Sequence, residues 1–438
     1  MKQMTSLIRT YSLKILVVSL GILSTISIYL FGYGTWKIKF AGDLIIRYAD
    51  PTDAYLESGA HLIFNPTYSF PGHPGLFSKI IVLFTSIGNW LLSNSGYISS
   101  FIDHYMQIAM FSNWLHAVTF LGFSYYFLHQ LLNQKYLKIT FYLLLFSLPY
   151  FISFYLRTTP ENFAFLGVMM LVLGWKNKQD IILIIGTMLV LFSKYMYLIP
   201  LLPFYLLFKP KTQLKIAGAT VVSLIIYFSF FSLAAFQEFW FRFSPLGMAS
   251  EGRKISNNPL ADIRDSLLLL PNSIKYLFNI NLYYRSNYQF PHQINWAFFT
   301  LISTGLSSIF LTKEKKRRLV FGAILMLSII LILYRKENHY LLSSMIFFVL
   351  TTFCYLEKNK FFIPKYVLLG VGLLFGLNLI HWYNFTDNNI QKSQKYSHFY
   401  NSPLKQQKQI IDGSTEELRH YYHFQFGYTT LQRELPIY

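Results

Sequence analysis

The chain has 438 residues, of which 53% are hydrophobic and only 13% are charged. A soluble globular protein carries roughly a quarter charged residues, so the composition excludes an ordinary cytosolic enzyme and a disordered protein. Lys and Arg outnumber Asp and Glu by 38 to 19, but short cytoplasmic loops of polytopic membrane proteins collect such an excess. The net charge of +19 therefore does not indicate a nucleic-acid partner.

Apolar segments recur along the chain and predict an all-α protein with about eleven membrane spans. The first, residues 15–34, has the length of a retained span rather than of a cleaved signal. The others cover residues 105–132, 137–156, 163–175, 181–192, 197–208, 216–236, 296–312, 319–334, 340–356 and 366–382. Segments 181–192 and 197–208 are short, which leaves open one long helix bent around Lys194.

The basic residues predict an orientation in the membrane. With the N-terminus in the cytoplasm, clusters of Lys and Arg at 135–138, 176–178, 209–215, 313–318 and 358–365 all lie in cytoplasmic loops. Residues 1–383 then form the transmembrane domain. The segments left outside are a first extracytoplasmic loop at 35–104, a second at 237–295 and a C-terminal tail at 384–438. Within the first loop, residues 76–92 predict a helix lying in the outer membrane interface.

Acidic residues are scarce, and the first outer loop concentrates them. Asp43, Asp50, Asp53 and Glu57 all lie within FAGDLIIRYADPTDAYLESGAHL. Asp50 precedes a proline and can cap a helix that begins there. That helix would place Asp53 one turn in, close to the membrane plane. The loop ends in SFPGHPGL, where His73 lies in a rigid Gly-Pro turn that returns the chain to the membrane.

Cations at the predicted outer ends of spans run against the positive-inside trend, so each is a candidate site residue. Arg157 occurs with Glu161 in YLRTTPENF, Lys194 occurs in FSKYMY, and Arg335 and His339 occur in LYRKENHYLL. An Arg can hold two phosphate oxygens, whereas a Lys acts as a point charge. The structural alternative is that these side chains reach lipid headgroups or pair locally, as Arg157 could with Glu161.

The run DAYLESGAHL at residues 53–62, followed by HPGL at 73–76, resembles the first outer loop of GT-C glycosyltransferases. The protein O-mannosyltransferases and the lipid A aminoarabinose transferases have an acidic pair there, a Tyr-Ala-like helix and then HPPL or KPPL. LYRKENHYLL is similar to a signature late in those chains. Two residues depart from the pattern: Ala54 separates the acidic residues, and Gly75 replaces the second proline. Asp53, Asp50 and Asp43 therefore all remain possible counterparts of the family's acidic residue.

The resemblance implies a GT-C fold and an inverting transfer of a hexosyl or pentosyl group on the extracytoplasmic face, in a bacterial plasma membrane. The donor would be a polyprenyl-phosphate-linked sugar and the acceptor a lipid, glycan or protein. Asp53 would be the general base. The contacts to the donor phosphate or the substrate would come from Arg335, His339, Arg157, Glu161, Lys194 and His73. No cofactor is expected, and a divalent metal, which the related oligosaccharyltransferases use, is not favoured.

Two other functions fit the sequence. A transporter or flippase of lipid-linked saccharides would hold phosphate with Arg335 and Lys194 during passage. Such proteins commonly contain two similar halves with matching broken helices, which the sequence does not display. A polymerase or ligase of lipid-linked saccharides would carry its long outer loop late in the chain, whereas here the carboxylate-rich loop comes first.

Overall fold

The computed structural model describes residues 12–28, 56, 58–60, 62–63, 75–94, 96–97, 100–101, 104–231, 296–335, 340–360 and 367–379. Their regular structure is entirely helical, which confirms the all-α prediction for this part of the chain. The α-helices are α1 (Ser12–Ile28), α2 (Leu76–Leu92), α3 (Tyr105–Leu131), α4 (Lys135–Phe146), α5 (Pro149–Tyr155), α6 (Glu161–Asn177), α7 (Asp180–Lys194), α8 (Pro210–Phe231), α9 (Trp296–Leu311), α10 (Lys315–Arg335), α11 (Leu341–Lys358) and α12 (Val367–Leu379).

Three of the described helical segments are long and apolar enough to cross a membrane: Asp180–Tyr197, Pro210–Phe230 and Leu341–Lys358. Shorter apolar helices accompany them at Ser12–Ile28, Leu76–Leu92, Ala297–Leu311 and Val367–Leu379. These lengths and compositions fit an integral membrane protein.

The predicted span at residues 137–156 is interrupted. The structure divides it into α4 and α5 at Ser147 and Leu148. Pro149 begins α5, where its missing N–H costs no helical hydrogen bond. Asn378 of α12 donates from Nδ2 to the carbonyl of Phe146 at 2.7 Å. This bond satisfies a carbonyl near the end of α4.

Residues 180–208 form a hairpin rather than one bent helix. α7 ends at Lys194, and two 3₁₀ segments follow, Tyr195–Tyr197 and Ile199–Leu207, the second with Pro203 inside it. The carboxylate of Asp180, at the start of α7, accepts hydrogen bonds from Thr212 Oγ1 at 3.0 Å and Lys215 Nζ at 2.5 Å. The chain therefore returns to the end of the bundle where α7 began. At 1.5 Å per residue α7 rises about 22 Å, which is shorter than a ~30 Å hydrocarbon layer.

The close contact of α6 with α7 depends on two glycines. A Cβ added at Gly167 would lie 2.8 Å from the carbonyl oxygen of Gly186, and one added at Gly186 would lie 2.9 Å from that of Gly167. Neither position has room for a side chain. The first residue of α6 and the last residue of α7 are consequently brought side by side at the far end of the pair.

The loops that the charge pattern predicts on one side of the membrane do lie together. Glu357 accepts backbone N–H bonds from Asn133 at 2.6 Å and Gln134 at 2.8 Å, and lies 3.8 Å from Lys176 Nζ. The guanidinium of Arg317 lies 5.6 Å from the ring centroid of Trp175. These contacts and the Asp180–Lys215 pair define what we call the basic-loop end. The opposite end, which contains Lys194, is the hairpin-tip end.

Candidate functional site

The turn between α5 and α6 carries Arg157 and Glu161, and two other helices hold it in place. Asn113 of α3 accepts hydrogen bonds at Oδ1 from the backbone N–H of Thr158 at 2.6 Å and from its hydroxyl at 2.7 Å. Ser78 of α2 donates from Oγ to the carbonyl of Thr159 at 2.9 Å. The turn is therefore fixed against α2 and α3 without solvent contact.

Within this framework Lys194 and Glu161 form a buried ion pair. Lys194 Nζ lies 2.7 Å from Glu161 Oε1, with side-chain exposures of 8% and 0%. The same ammonium lies 5.7 Å from the ring centroid of Tyr197 and 5.6 Å from that of Tyr340. Burying two charges is costly unless they are paired, and the faces of the tyrosine rings add favourable cation–π attraction. The pair thus positions a cation and a carboxylate at the hairpin tip.

The residue just before α2 contacts the same tip. The N–H of Gly75 donates to the carbonyl of Ser193 at 3.0 Å, directly before Lys194. Gly75 precedes α2 and has φ 43° and ψ 25°, in the left-handed region. Proline is restricted to φ near −65°, so it could not adopt this conformation.

The structure brings together some of the predicted site residues. Arg157 is buried on the turn that also carries Glu161, and Glu161 binds Lys194. Arg335 is the last residue of α10, and Tyr340, which directly follows His339 in the chain, lies beside Lys194. The remaining predicted site residues lie outside the described residues, so their roles stay predictions: Asp43, Asp50, Asp53, His73 and His339.

The described residues between 56 and 63 pack on α2. A Cβ added at Gly59 would lie 2.6 Å from Val82 Cβ and 2.9 Å from the carbonyl of Lys79. Leu56 and Ala60 are buried in one apolar cluster with Val82. Leu56 follows Asp53 by three residues, so the chain just after the predicted base is anchored on the helix that borders the site.

Sequence reasoning missed three buried polar residues near the turn. Lys79 of α2 is fully buried, next to Ser78 in the chain. Asn113 and His116, one turn apart on α3, are also buried; the His116 ring lies edge-on to Phe163 with centroids 5.5 Å apart. A polar side chain inside an apolar helix is itself a functional signal in a membrane protein. That signal was present for all three residues.

The described site offers cations and hydrogen-bonding groups rather than a metal centre. Among the described residues no group of three or more His, Cys, Asp or Glu side chains is arranged to hold a metal ion. The carboxylates at 43–57 that could form an oxygen-rich site fall largely outside this part of the chain. The charged groups in the described part of the site are the guanidinium of Arg157 and the Lys194–Glu161 ion pair.

Comparisons of the chain with protein-family models, with curated proteins and with solved structures find no match. A functional assignment therefore depends on the side chains of the site and their geometry.

Proposed function

We propose that the chain is a GT-C type membrane glycosyltransferase. It moves a sugar from a polyprenyl-phosphate-linked donor to a lipid, glycan or protein acceptor of the cell envelope, on the extracytoplasmic face. In this proposal residues 1–383 contain eleven membrane spans, some of which include residues outside the described part of the chain. The N-terminus is cytoplasmic in a bacterial plasma membrane. The 35–104 and 237–295 loops and the 384–438 tail are then outside, in contact with the acceptor and with lipid headgroups.

One observation carries the proposal: four segments far apart in sequence meet at the hairpin tip. Lys194 contacts both Glu161 and Tyr340, and the carbonyl of Ser193 accepts the N–H of Gly75. Each of these segments was assigned to the outer side from charge alone. Their convergence supports a single site built from the first outer loop, the Arg157–Glu161 turn, the hairpin tip and the Arg335–His339 segment.

The proposed reaction is an inverting displacement. An acceptor hydroxyl oxygen attacks the anomeric carbon, the bond from that carbon to the phosphate oxygen breaks, and polyprenyl phosphate leaves with the bonding electrons. Asp53 takes the hydroxyl proton as general base, and Asp50 and Asp43 are its alternatives. Arg335, Arg157 and Lys194 stabilise the negative charge on the departing phosphate, with His339, His73 and Glu161 completing the substrate contacts.

The test is a deletion strain analysed for polyprenyl-phosphate sugars. Loss of the enzyme should make its donor accumulate, and the wild-type gene should remove the excess. The gene for the Asp53→Asn variant, introduced into the deletion strain, should produce a normal amount of protein but restore neither sugar transfer nor the normal donor level. Asp180→Asn, a carboxylate at the basic-loop end, serves as the matched control and should complement fully. Full complementation by Asp53→Asn would refute the assignment of the base.

A second candidate function is transport of a lipid-linked saccharide. It is favoured by the interruption of the 180–208 hairpin at Lys194, because transporters bind substrate at breaks in their helices. The same deletion strain separates the two. In a strain that lacks a transporter, the sugar lipid stays on the cytoplasmic face, and supplying the lipid on the outer face restores the normal amount of glycosylated product. In a strain that lacks the transferase, supplying the lipid on the outer face does not restore the product.

A further inference from the structure

Among the described residues, four polar atoms buried around the start of α6 have no hydrogen-bond partner. They are Glu161 Oε2, Asn162 Oδ1, His116 Nε2 and Ser193 Oγ. All four side chains are at least 99% buried. Buried polar groups in folded proteins are almost always satisfied, so each such atom needs an explanation. These four lie around one turn of the chain.

The other polar atoms of these side chains are already engaged, which fixes what the open atoms can do. Glu161 Oε1 accepts from Lys194 Nζ, and Asn162 Nδ2 donates to the carbonyl of Tyr155 at 3.2 Å. His116 Nδ1 lies 2.8 Å from the carbonyl of Ser112, to which it can only donate. The neutral ring therefore presents Nε2 as an acceptor. Three of the four open atoms are acceptors, and the Ser193 hydroxyl can accept as well.

Their positions converge on the start of α6. Glu161 and Asn162 are its first two residues, and Ser193 adjoins Lys194, the ion-pair partner of Glu161. The His116 ring packs edge-on against Phe163, the next residue of α6. The acceptors thus border the place where α3, α6 and the hairpin tip meet.

We propose that these atoms form the sugar subsite and bind hydroxyl groups of the transferred sugar. A cluster of acceptors selects a ligand that brings several donors, and a hexose or pentose presents O–H groups at fixed spacing on a small ring. A phosphate brings only acceptor oxygens at neutral pH and would be repelled by Glu161 Oε2. It belongs on the cations Arg157 and Lys194 beside the cluster. This inference rests on the proposed function and adds His116, Asn162 and Ser193 to it as binding residues.

The test measures binding by the full-length protein in lipid nanodiscs. The probes are undecaprenyl phosphate alone and undecaprenyl phosphate carrying glucose, mannose or arabinose. Wild-type protein should bind at least one sugar-bearing lipid about tenfold or more tightly than the bare lipid. This is the gain that several neutral hydrogen bonds provide. If none of the three sugars increases the affinity, the sugar subsite is overturned but the proposed function is not. If the bare lipid does not bind, both the lipid-phosphate donor and the subsite are overturned.

Two variants locate the effect. Ser193→Ala removes a hydroxyl that has no hydrogen-bond partner among the described residues. It should leave folding intact and weaken binding of the sugar-bearing lipid about 3- to 10-fold. His116→Phe keeps the ring packing on Phe163 and removes Nε2, with a similar expected loss. Neither should change the affinity for the bare lipid. The matched controls, Ser124→Ala and His129→Phe on α3, should change neither affinity.

An equal loss for bare and sugar-bearing lipids in both variants would assign these residues to packing and overturn the proposal. Unchanged affinity for the sugar-bearing lipid in both variants would mean that only water satisfies the open atoms, and would overturn it equally.

Discussion

Glu161 begins α6 and Lys194 ends α7, and their charged atoms lie 2.7 Å apart in the interior of the bundle. Neither residue needs the other for its helix. The pairing arises because Gly167 and Gly186 let the two helices pack backbone to backbone, which brings their hairpin-tip ends into register. A buried pair of this kind destabilises the fold strongly when only one partner is removed.

Removing one member of the pair should therefore cost much more stability than removing both. Lys194→Met leaves the Glu161 carboxylate buried beside an apolar side chain and should destabilise the protein by about 3–5 kcal/mol. The double variant Lys194→Met/Glu161→Leu should recover most of that loss. Thermal unfolding of the purified protein in detergent measures both.

An exposed pair provides the control for that experiment. Arg317 and Glu314 lie 2.9 Å apart with side-chain exposures of 31% and 59%. Glu314→Gln should cost no more than about 1 kcal/mol, because water screens such pairs. If Lys194→Met lowers the free energy of unfolding as little as Glu314→Gln does, the Lys194–Glu161 pair is screened by water like an exposed pair.

The crossing of α6 and α7 gives a second prediction. Gly167→Leu would drive a side chain into the carbonyl of Gly186 and the side chain of Val190, so the helices must separate. Overpacking of this kind costs about 1–3 kcal/mol or more, and it should also shift Glu161 away from Lys194. Gly322→Leu on α10 is the matched control, since an added Cβ there meets nothing within 4 Å. Equal thermal stability of the two variants would contradict the close crossing.

Gly75 gives a prediction about the turn that precedes α2. Gly75→Pro requires φ near −65° where the structure has 43°, and it removes the N–H that donates to the carbonyl of Ser193. We expect loss of stability and of sugar transfer. Gly75→Asn keeps the N–H and tolerates the left-handed region, so it should retain most of both. A Gly75→Pro protein with wild-type stability and activity would show that the turn does not need the left-handed conformation at residue 75.

The sequence predicted the helical class and the grouping of the described basic loops at one end of the bundle, because periodicity and charge are local signals. It placed Arg157, Glu161 and Lys194 at the same end of the bundle for that reason. It could not predict that Lys194 pairs with Glu161, since that contact depends on how two helices cross. It also did not predict that the fold buries Lys79 within α2. The break at Pro149 and the 3₁₀ run after Lys194 were also missed, because apolar composition alone does not distinguish them from a continuous span.

The orientation of the bundle is open to direct measurement. Reporter fusions at residue 65, in the first outer loop, and at residue 315, in the basic-loop end, should report opposite sides of the membrane. A fusion at residue 178 should agree with the one at 315, because contacts around Trp175 and Lys176 hold the two loops at the same end. The same reading from residues 65 and 315 would show that the predicted number of spans is wrong.

Arg335 is the predicted phosphate ligand whose replacement should separate donor from acceptor binding. Its guanidinium can hold two phosphate oxygens, so Arg335→Ala should weaken undecaprenyl phosphate binding by about tenfold or more while acceptor saturation changes little. Arg335→Lys keeps the positive charge but loses the two-pronged guanidinium. Its affinity for undecaprenyl phosphate should therefore lie between those of the wild-type protein and Arg335→Ala. Binding in nanodiscs measures the affinity for the donor, and the dependence of the transfer rate on acceptor concentration measures acceptor saturation. Equal weakening of donor and acceptor by Arg335→Ala, with Arg335→Lys no better, would instead assign Arg335 to packing at the end of α10.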